Sequence, residues 1–225
     1  MKKNISPPVQ LLMQIMEHHA NKTKAIQMSA YMKNKFPFYG IQKPKRAELF
    51  REWKKLYPDE IASWNSTFIK MLWEKPEREL HYCAMDLMHS WKKKMQKEHI
   101  MDLEYCIKHN SWWDTVDYLS GTLAGQYFKL YPGEINRIIS KWNASSDLWL
   151  NRSAILFQLK YGKDTDLELL GEIIQTHKHS KEFFHQKAIG WALRTVARFN
   201  PDFVRKIATE GGIAALSRRE ALKHL

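Results

Sequence analysis

Apolar residues recur at intervals of three and four along almost the whole chain, and stretches in which apolar and polar residues alternate are nearly absent. The first pattern is typical of amphipathic α-helices, and the second is typical of half-buried strands. Glycine is scarce, with nine residues, and some of them follow helical stretches, as in Phe38-Tyr39-Gly40 and Gly211-Gly212. Prolines stand beside polar turns at Pro44, Pro76, Pro132 and Pro201. Because both residue types mark helix ends, the pattern predicts an all-α protein.

The helical pattern also repeats. Residues 147–157 align with residues 181–191, and weaker copies cover residues 216–222 and 77–86. The aligned positions pair Ala154 with Ala188, Phe157 with Trp191, and Lys160 with Arg194. A period in the mid-thirties with two helical patterns per unit is typical of stacked antiparallel helix pairs. We therefore predict a single superhelical solenoid domain over residues 1–225, with a concave basic groove lined by the helix that carries the aligned aromatic and basic positions.

The charge balance narrows the class of partner. Lysine and arginine number 36 against 24 acidic residues, which gives a formal net charge of +12. Such an excess favours a polyanion, either nucleic acid or an anionic membrane surface. The alternative is a charge excess that only keeps the protein soluble. The runs Lys43–Arg46 and Lys92–Lys94 are predicted to be solvated faces with a general electrostatic role.

Several other classes are disfavoured. The two cysteines, Cys83 and Cys106, form neither a disulfide framework nor a CxxC pair, which fits a reducing compartment. The ten histidines form no zinc motif, and His177 and His179 remain a weak candidate pair beside a predicted loop. The N-terminus leads into Pro7-Pro8 without the apolar core of a signal peptide, and no run of about 18 apolar residues occurs. We expect a bacterial cytoplasmic protein that is not inserted in a membrane.

The stretch Ser111–Asp117 carries the most specific chemistry. On a helix, Trp113 and Asp117 lie one turn apart on the same face. A carboxylate beside an indole is costly to bury unpaired, but both groups attract a cation. The neighbouring Trp112 is predicted to face the core, and Ser111 with Asp114 resembles a capping box. Taken alone, Asp117 could also be an ordinary solvated acid on a helix surface.

Together these segments resemble the AlkD-type DNA alkylation-repair glycosylases, which are built from HEAT-like repeats. The resemblance extends over nearly the whole chain and is carried by residues 31–34, 38–41, 72–79, 111–117, 148–161, 180–194 and 217–221. It implies a solenoid of HEAT-like repeats and a cleft in which Trp113, Trp191 and Asp117 are catalytic. The implied substrate is double-stranded DNA that contains positively charged N3- or N7-alkylated purines. The implied enzyme is a monomeric, monofunctional glycosylase that needs no metal or cofactor and begins base excision repair.

Phosphate contacts are expected on the same face. The resemblance places Arg152 at a DNA-contacting position, and a guanidinium binds phosphate through two parallel hydrogen bonds. Weaker candidates at related repeat positions are Lys160, Lys187 and Arg194, while Tyr31 could donate its hydroxyl to a backbone phosphate. Gly190, just before Trp191, is expected to let DNA or a neighbouring helix come close.

Two other functions remain open at this point. One is a non-catalytic repeat module that binds branched or distorted DNA, which the presence of the tryptophan and aspartate set disfavours. The other is a protein-interaction scaffold, which the net charge disfavours. Salt dependence would separate the second from a DNA-binding protein, because phosphate-driven binding weakens steeply as salt rises.

Overall fold

A computed structural model of the chain describes residues 6–225, and every regular element within that range is helical. The N-terminal helices are α1 (Pro7–His18), α2 (Lys22–Tyr31), α3 (Lys43–Leu56), α4 (Ser66–Trp73) and α5 (Arg78–Trp91), followed by the 3₁₀ turn Lys92–Lys94. The prediction of an all-α protein is confirmed.

The rest of the chain continues in the same way. Its α-helices are α6 (Ile100–Lys108), α7 (Trp113–Tyr118), α8 (Gly125–Leu130), α9 (Ile135–Asn143), α10 (Leu148–Leu156), α11 (Leu167–His177), α12 (Phe183–Val196), α13 (Pro201–Glu210) and α14 (Ala215–Ala221). A π-helical segment, Leu119–Ala124, joins α7 to α8. Short 3₁₀ turns occur at Lys97–His99, Pro132–Glu134 and Gly162–Asp164.

Contacts within the chain divide it into two compact units, residues 1–95 and residues 96–225. This division does not test the prediction of one domain over residues 1–225, which stays a prediction. All the residues predicted to be catalytic lie in the second unit, and Tyr31 lies in the first.

Helix ends follow the residues that the sequence offers. The side chains of Asn21, Asn65 and Asp147 each accept a hydrogen bond from a backbone N–H in the first turn of the following helix. This caps donors that have no partner inside the helix. Helix α13 begins at Pro201, and Gly211 is its C-cap. The predicted role of proline and glycine as helix boundaries is confirmed there.

Aromatic rings form part of the core of the N-terminal unit. The Trp53 ring of α3 stacks with Phe50 at 5.3 Å and with Phe68 of α4 at 5.6 Å, and its Nε1 donates to the Pro8 carbonyl at 2.9 Å. One prediction is wrong here, because Arg46 is not on a solvated face. Its side chain is buried, with the guanidinium 4.7 Å from the centre of the Tyr82 ring.

The C-terminal unit contains the predicted repeats. Helices α10, α12 and α14 pack side by side, and α9, α11 and α13 pack against them as second members of helix pairs. The aligned copies fall on α10 and α12, where Ala154 and Ala188 are both fully buried and allow close packing. The third copy coincides with α14. The prediction of stacked helix pairs is confirmed for this unit.

None of the helices in residues 6–225 combines the length and the apolar character that crossing a membrane would require.

Candidate active site

A bend at residues 109–110 precedes the tryptophan and aspartate segment. Asn110 adopts a left-handed conformation with a φ of 51°, which asparagine tolerates better than most residues. Trp112 is extended and forms the N-cap, and α7 begins at Trp113. Asp117 follows one turn later, as the spacing predicts, so the indole and the carboxylate share one side of a short helix.

The predicted capping box of Ser111 and Asp114 is wrong. Because α7 begins two residues after Ser111, the serine lies outside the N-cap position, and its hydroxyl instead donates to the carbonyl of Ile107 in α6. The hydroxyl of Thr115 donates to the Trp112 carbonyl at 3.2 Å. Asp114 is left to line the cavity described below.

The two adjacent tryptophans point to different places. The Trp112 ring packs edge-on against Trp149 at 5.7 Å and Phe184 at 5.1 Å. Trp113 lines an open cavity instead. The prediction that Trp112 packs internally is confirmed. Trp113 lines a cavity as expected from its helix face, and its catalytic role stays a prediction.

A π-helical segment follows Asp117 almost directly. It leads into Gly125, where an added Cβ would lie 2.5 Å from the carbonyl oxygen of Phe157. Only glycine allows this approach, which brings the helix against the chain that leaves α10. Ser120 in the π-helical segment donates to Ser153 of α10 at 2.7 Å, which adds a buried polar link between the two helices.

The open cavity has a volume of about 460 Å³ and is lined entirely by the C-terminal unit. Its lining residues are Trp113, Asp114, Asp117, Tyr118, Gly121, Thr122, Leu159, Lys160, Trp191, Thr195 and Arg198. The structure thus brings together the three residues predicted to be catalytic, although Trp191 of α12 lies more than 70 residues after Trp113 and Asp117 of α7. We call this the Asp117 cavity.

Asp117 is held by a bidentate ion pair. The Arg152 Nε donates to Oδ1 at 2.7 Å and Nη2 donates to Oδ2 at 2.9 Å, while Nη1 donates to the Phe184 carbonyl at 2.6 Å. The aspartate side chain is 17% exposed and the arginine side chain 5%. Each carboxylate oxygen keeps a second acceptor position beyond the one that the guanidinium occupies. The carboxylate is therefore fixed in orientation and still able to accept from a ligand.

Two opposing effects act on the ionisation of Asp117. Burial raises the pKa of its carboxyl group, the Arg152 guanidinium lowers it through hydrogen bonds and charge, and the negative Asp114 raises it further. The net direction is upward from the ordinary value. Without Arg152, the charged form of Asp117 would lose its stabilising partner, and the pKa would rise further.

The structure places Arg152 differently from the expected groove-lining phosphate ligand. The residue is only 4% exposed and does not line the Asp117 cavity. Its donors are directed at a carboxylate and a backbone carbonyl of the protein. The geometry supports a role in holding Asp117, and a direct phosphate contact by Arg152 stays a prediction that the structure does not support.

Lys187 and Arg194 face α14 instead of the cavity. Both form ion pairs with Glu220, at 2.9 Å and 2.6 Å. Gly190 lies on the same side of α12, and a Cβ there would come within 2.4 Å of the Glu220 Cβ. The expected close approach of a neighbouring helix at Gly190 is therefore confirmed, and Trp191 is turned toward the Asp117 cavity.

Lys160 and Tyr31 have more open surroundings. Lys160 is exposed at the cavity, where its Nζ donates to Thr122 Oγ1 at 2.7 Å. Tyr31 is 68% exposed and belongs to a smaller cavity of about 250 Å³ in the N-terminal unit, with Met28, Phe38 and Tyr82 among its lining residues. Their predicted phosphate contacts stay predictions.

Sequence reasoning missed Arg198, Thr122 and Thr195, which also line the Asp117 cavity. Arg198 stands in the turn after α12, seven residues beyond Trp191. That spacing corresponds to two helical turns and was the one available signal. The repeat alignment drew attention to Arg194 instead.

The weak candidate pair His177 and His179 is not part of a larger group of metal-binding side chains in the described residues. His177 ends α11, is buried, and donates from Nε2 to the Asn143 Oδ1 at 2.8 Å, while its ring lies 4.8 Å from that of His185. Burial lowers the pKa of His177 to about 4. Between residues 6 and 225, no group of three or more His, Cys, Asp or Glu side chains is placed to hold a metal ion.

Comparison with known proteins shows the family of the chain. No curated protein matches the sequence. A solved structure described as a predicted DNA alkylation repair enzyme from Enterococcus faecalis matches with a TM-score of 0.83 and 31% identity, over 92% of this chain and 96% of that chain. The profile of the DNA alkylation repair enzymes matches residues 12–225. The chain therefore belongs to the DNA alkylation repair enzyme family.

Proposed function

We propose that this protein is a monofunctional DNA glycosylase that hydrolyses the N-glycosidic bond of positively charged N3- and N7-alkylated purines in duplex DNA. The observation that carries the proposal is the Asp117 carboxylate, held by Arg152 in a cavity that Trp113 and Trp191 also line. Membership in a DNA alkylation repair family supports a role in repair of alkylated DNA. The finer assignment of reaction and substrate is the proposal.

The proposed reaction follows from the charge of the lesion. As the bond between C1′ and the purine nitrogen breaks, its electron pair moves to the base and neutralises the positive charge there. Positive charge appears on the sugar as an oxocarbenium-like species. Water then adds to C1′ and gives up a proton, which leaves a neutral alkylpurine and an abasic deoxyribose.

Asp117 is suited to both halves of this reaction. A fixed carboxylate stabilises positive charge on the sugar more in the transition state than in the ground state, which is the requirement for acceleration. The same oxygens can orient the attacking water and accept its proton. Trp113 and Trp191 line the same cavity. The face of an indole ring attracts a cation, and each such contact is worth about 0.5–2 kcal/mol.

Arg152 acts in this proposal as a positioning residue. Its fork fixes both oxygens of Asp117 and favours the ionised form, against the burial that raises the pKa of the acid. A preorganised charge needs no rearrangement when the transition state forms. We also propose that the enzyme acts as a monomer.

The test follows release of 3-methyladenine and 7-methylguanine from methylated duplex DNA. Wild type is expected to release both bases, and Asp117→Asn is expected to be slower by about 10²–10³-fold while still binding DNA. The matched control is Asp202→Asn, on α13 with a side chain that is 91% exposed. It should match wild type.

The alternative is a module that binds distorted DNA without cutting it. In that event wild type would bind the methylated duplex and release neither base. Equal rates for Asp117→Asn and wild type would instead reject the role given to the carboxylate.

A further inference from the structure

Most basic side chains near the proposed active site are already engaged by acids of the protein. Arg152 pairs with Asp117, and Lys187 and Arg194 both pair with Glu220. These contacts reduce the capacity of the three residues to bind a ligand phosphate, because a new contact must replace an existing ion pair. The sequence alone would have counted all three as part of a DNA-binding face.

Two cations line the Asp117 cavity without such an acid. Lys160 donates to the neutral hydroxyl of Thr122 and lies 5.9 Å from the centre of the Tyr118 ring. Arg198 is exposed in the turn that follows α12, and its guanidinium forms no ion pair or side-chain hydrogen bond within residues 6–225. Its donors are therefore available to a ligand.

The charge around the cavity also admits an anion. Asp114 and Asp117 line it, but Arg152, Lys160 and Arg198 together outnumber them, and Arg152 satisfies Asp117 directly. A nucleotide that carries a cationic base still carries an anionic phosphodiester group. The cavity offers indoles and a carboxylate for the first charge and exposed cations for the second.

We infer that Arg198, together with Lys160, binds the phosphodiester group next to the target sugar. This inference rests on the proposed function, because it places the target nucleotide in the Asp117 cavity. Arginine suits the task because its planar fork meets two phosphate oxygens at once, whereas lysine acts as a point charge. Arg198 thereby fixes the position of the sugar with respect to Asp117.

The first test measures binding alone. The probe is a duplex with a single tetrahydrofuran abasic residue, which has no base to release, titrated at several salt concentrations. Arg198→Gln should reduce the slope of log affinity against log salt by about 0.9, the value for one lost phosphate contact, and Lys160→Gln should also reduce it. The control is Arg205→Gln, since Arg205 is an exposed arginine on α13, paired with Asp202 and outside the cavity. It should leave the slope as in wild type.

The second test locates the contact. Single phosphates around the abasic residue are replaced, one at a time, by uncharged methylphosphonate. Wild type should lose affinity at one or two positions, and Arg198→Gln should have lost its sensitivity at one of them. Full retention of the wild-type profile and salt slope by Arg198→Gln would overturn the inference.

The two proposals can fail separately. If wild type binds with the Arg198-dependent slope yet releases no methylated base, the glycosylase proposal fails and the phosphate contact remains. If base release depends on Asp117 but Arg198→Gln binds as wild type does, the phosphate contact fails and the glycosylase proposal remains.

Discussion

Arg152 donates hydrogen bonds to both carboxylate oxygens of Asp117, a residue 35 positions earlier in the sequence. The distances are 2.7 Å from Nε to Oδ1 and 2.9 Å from Nη2 to Oδ2. The pair joins α10 to α7, and the third contact of the guanidinium, to the carbonyl of Phe184, extends the link to α12. One buried arginine therefore connects three helices around the cavity. Loss of this arginine should therefore lower the stability of the fold as well as the rate of the proposed reaction.

Replacing Arg152 by methionine should lower the free energy of unfolding by about 3–5 kcal/mol, because Asp117 would keep a buried charge without a partner. Urea unfolding at neutral pH measures the effect. Arg205→Met removes an exposed pair with Asp202 and should cost about 1 kcal/mol or less. Equal losses for the two variants would contradict the structural role given to Arg152.

The pH dependence of base release should report the ionisation of Asp117. Burial raises the pKa of this acid, so activity should fall on the acid side at a pH above the ordinary range for aspartate. Arg152→Gln removes the contact that lowers the pKa and should move the acid limb to still higher pH. Single-turnover base release measured across a pH series, and corrected for spontaneous base loss, gives the acid limb of wild type and that of the variant. An acid limb that Arg152→Gln leaves unmoved would show that another group controls it.

Stability should fall between neutral and acid pH because of His177. Burial lowers its pKa to about 4, so the unfolded chain takes up a proton below about pH 6.5 that the folded chain accepts only near pH 4. The stability present above pH 6.5 is therefore lost progressively as pH falls toward 4, by about 2–3 kcal/mol for this group. Thermal or urea unfolding of wild type and His177→Gln at pH 7 and pH 4.5 should show a smaller fall in the variant.

The control for that comparison is His179→Gln, two residues further along and exposed. It should lose stability with pH as wild type does. A wild-type fall that survives unchanged in His177→Gln would mean that other groups cause the acid sensitivity.

Gly190→Ala should destabilise the packing of α12 against α14. The added Cβ would lie 2.4 Å from the Glu220 Cβ and 3.0 Å from the Ser217 carbonyl oxygen, so one helix must shift. Overpacking of this kind costs about 1–3 kcal/mol. Gly171→Ala in α11 is the matched control, since nothing lies within 4 Å of its added Cβ. There we expect a gain of about 0.5–1 kcal/mol from helix propensity. Effects of the same sign and size would refute the packing argument.

The sequence predicted those features that depend on local residue spacing or on the family resemblance. Helix periodicity predicted the all-α fold, and the repeat alignment predicted the packing of α10 on α12. Trp113 and Asp117 are one turn apart, so their shared side followed from helix geometry alone. Placing Trp191 in the same cavity required the resemblance, because no local pattern links α7 to α12.

The sequence could not show features that depend on partners far away in the chain. An arginine on a predicted groove looks like a phosphate ligand, and only the fold shows that Arg152 is committed to Asp117 and that Arg194 is committed to Glu220. Arg198 was overlooked because its availability to a ligand depends on the absence of an acidic partner in the described fold, and the sequence does not show which acids lie near it. A one-residue shift in the start of α7 was enough to remove the expected capping box at Ser111.

The π-helical segment Leu119–Ala124 sets the rotational phase between the two halves of one continuous helix. The C-terminal half packs against the end of α10 at Gly125, and the half that bears Trp113 and Asp117 meets α10 through the Asp117–Arg152 ion pair, so a change in the segment would set these two contacts against each other. Since each residue of an α-helix advances the chain by about 100°, deleting one residue here would swing the indole and the acid away from the cavity together. The number of residues in this segment is thus as strict a requirement for the site as the identity of its acid.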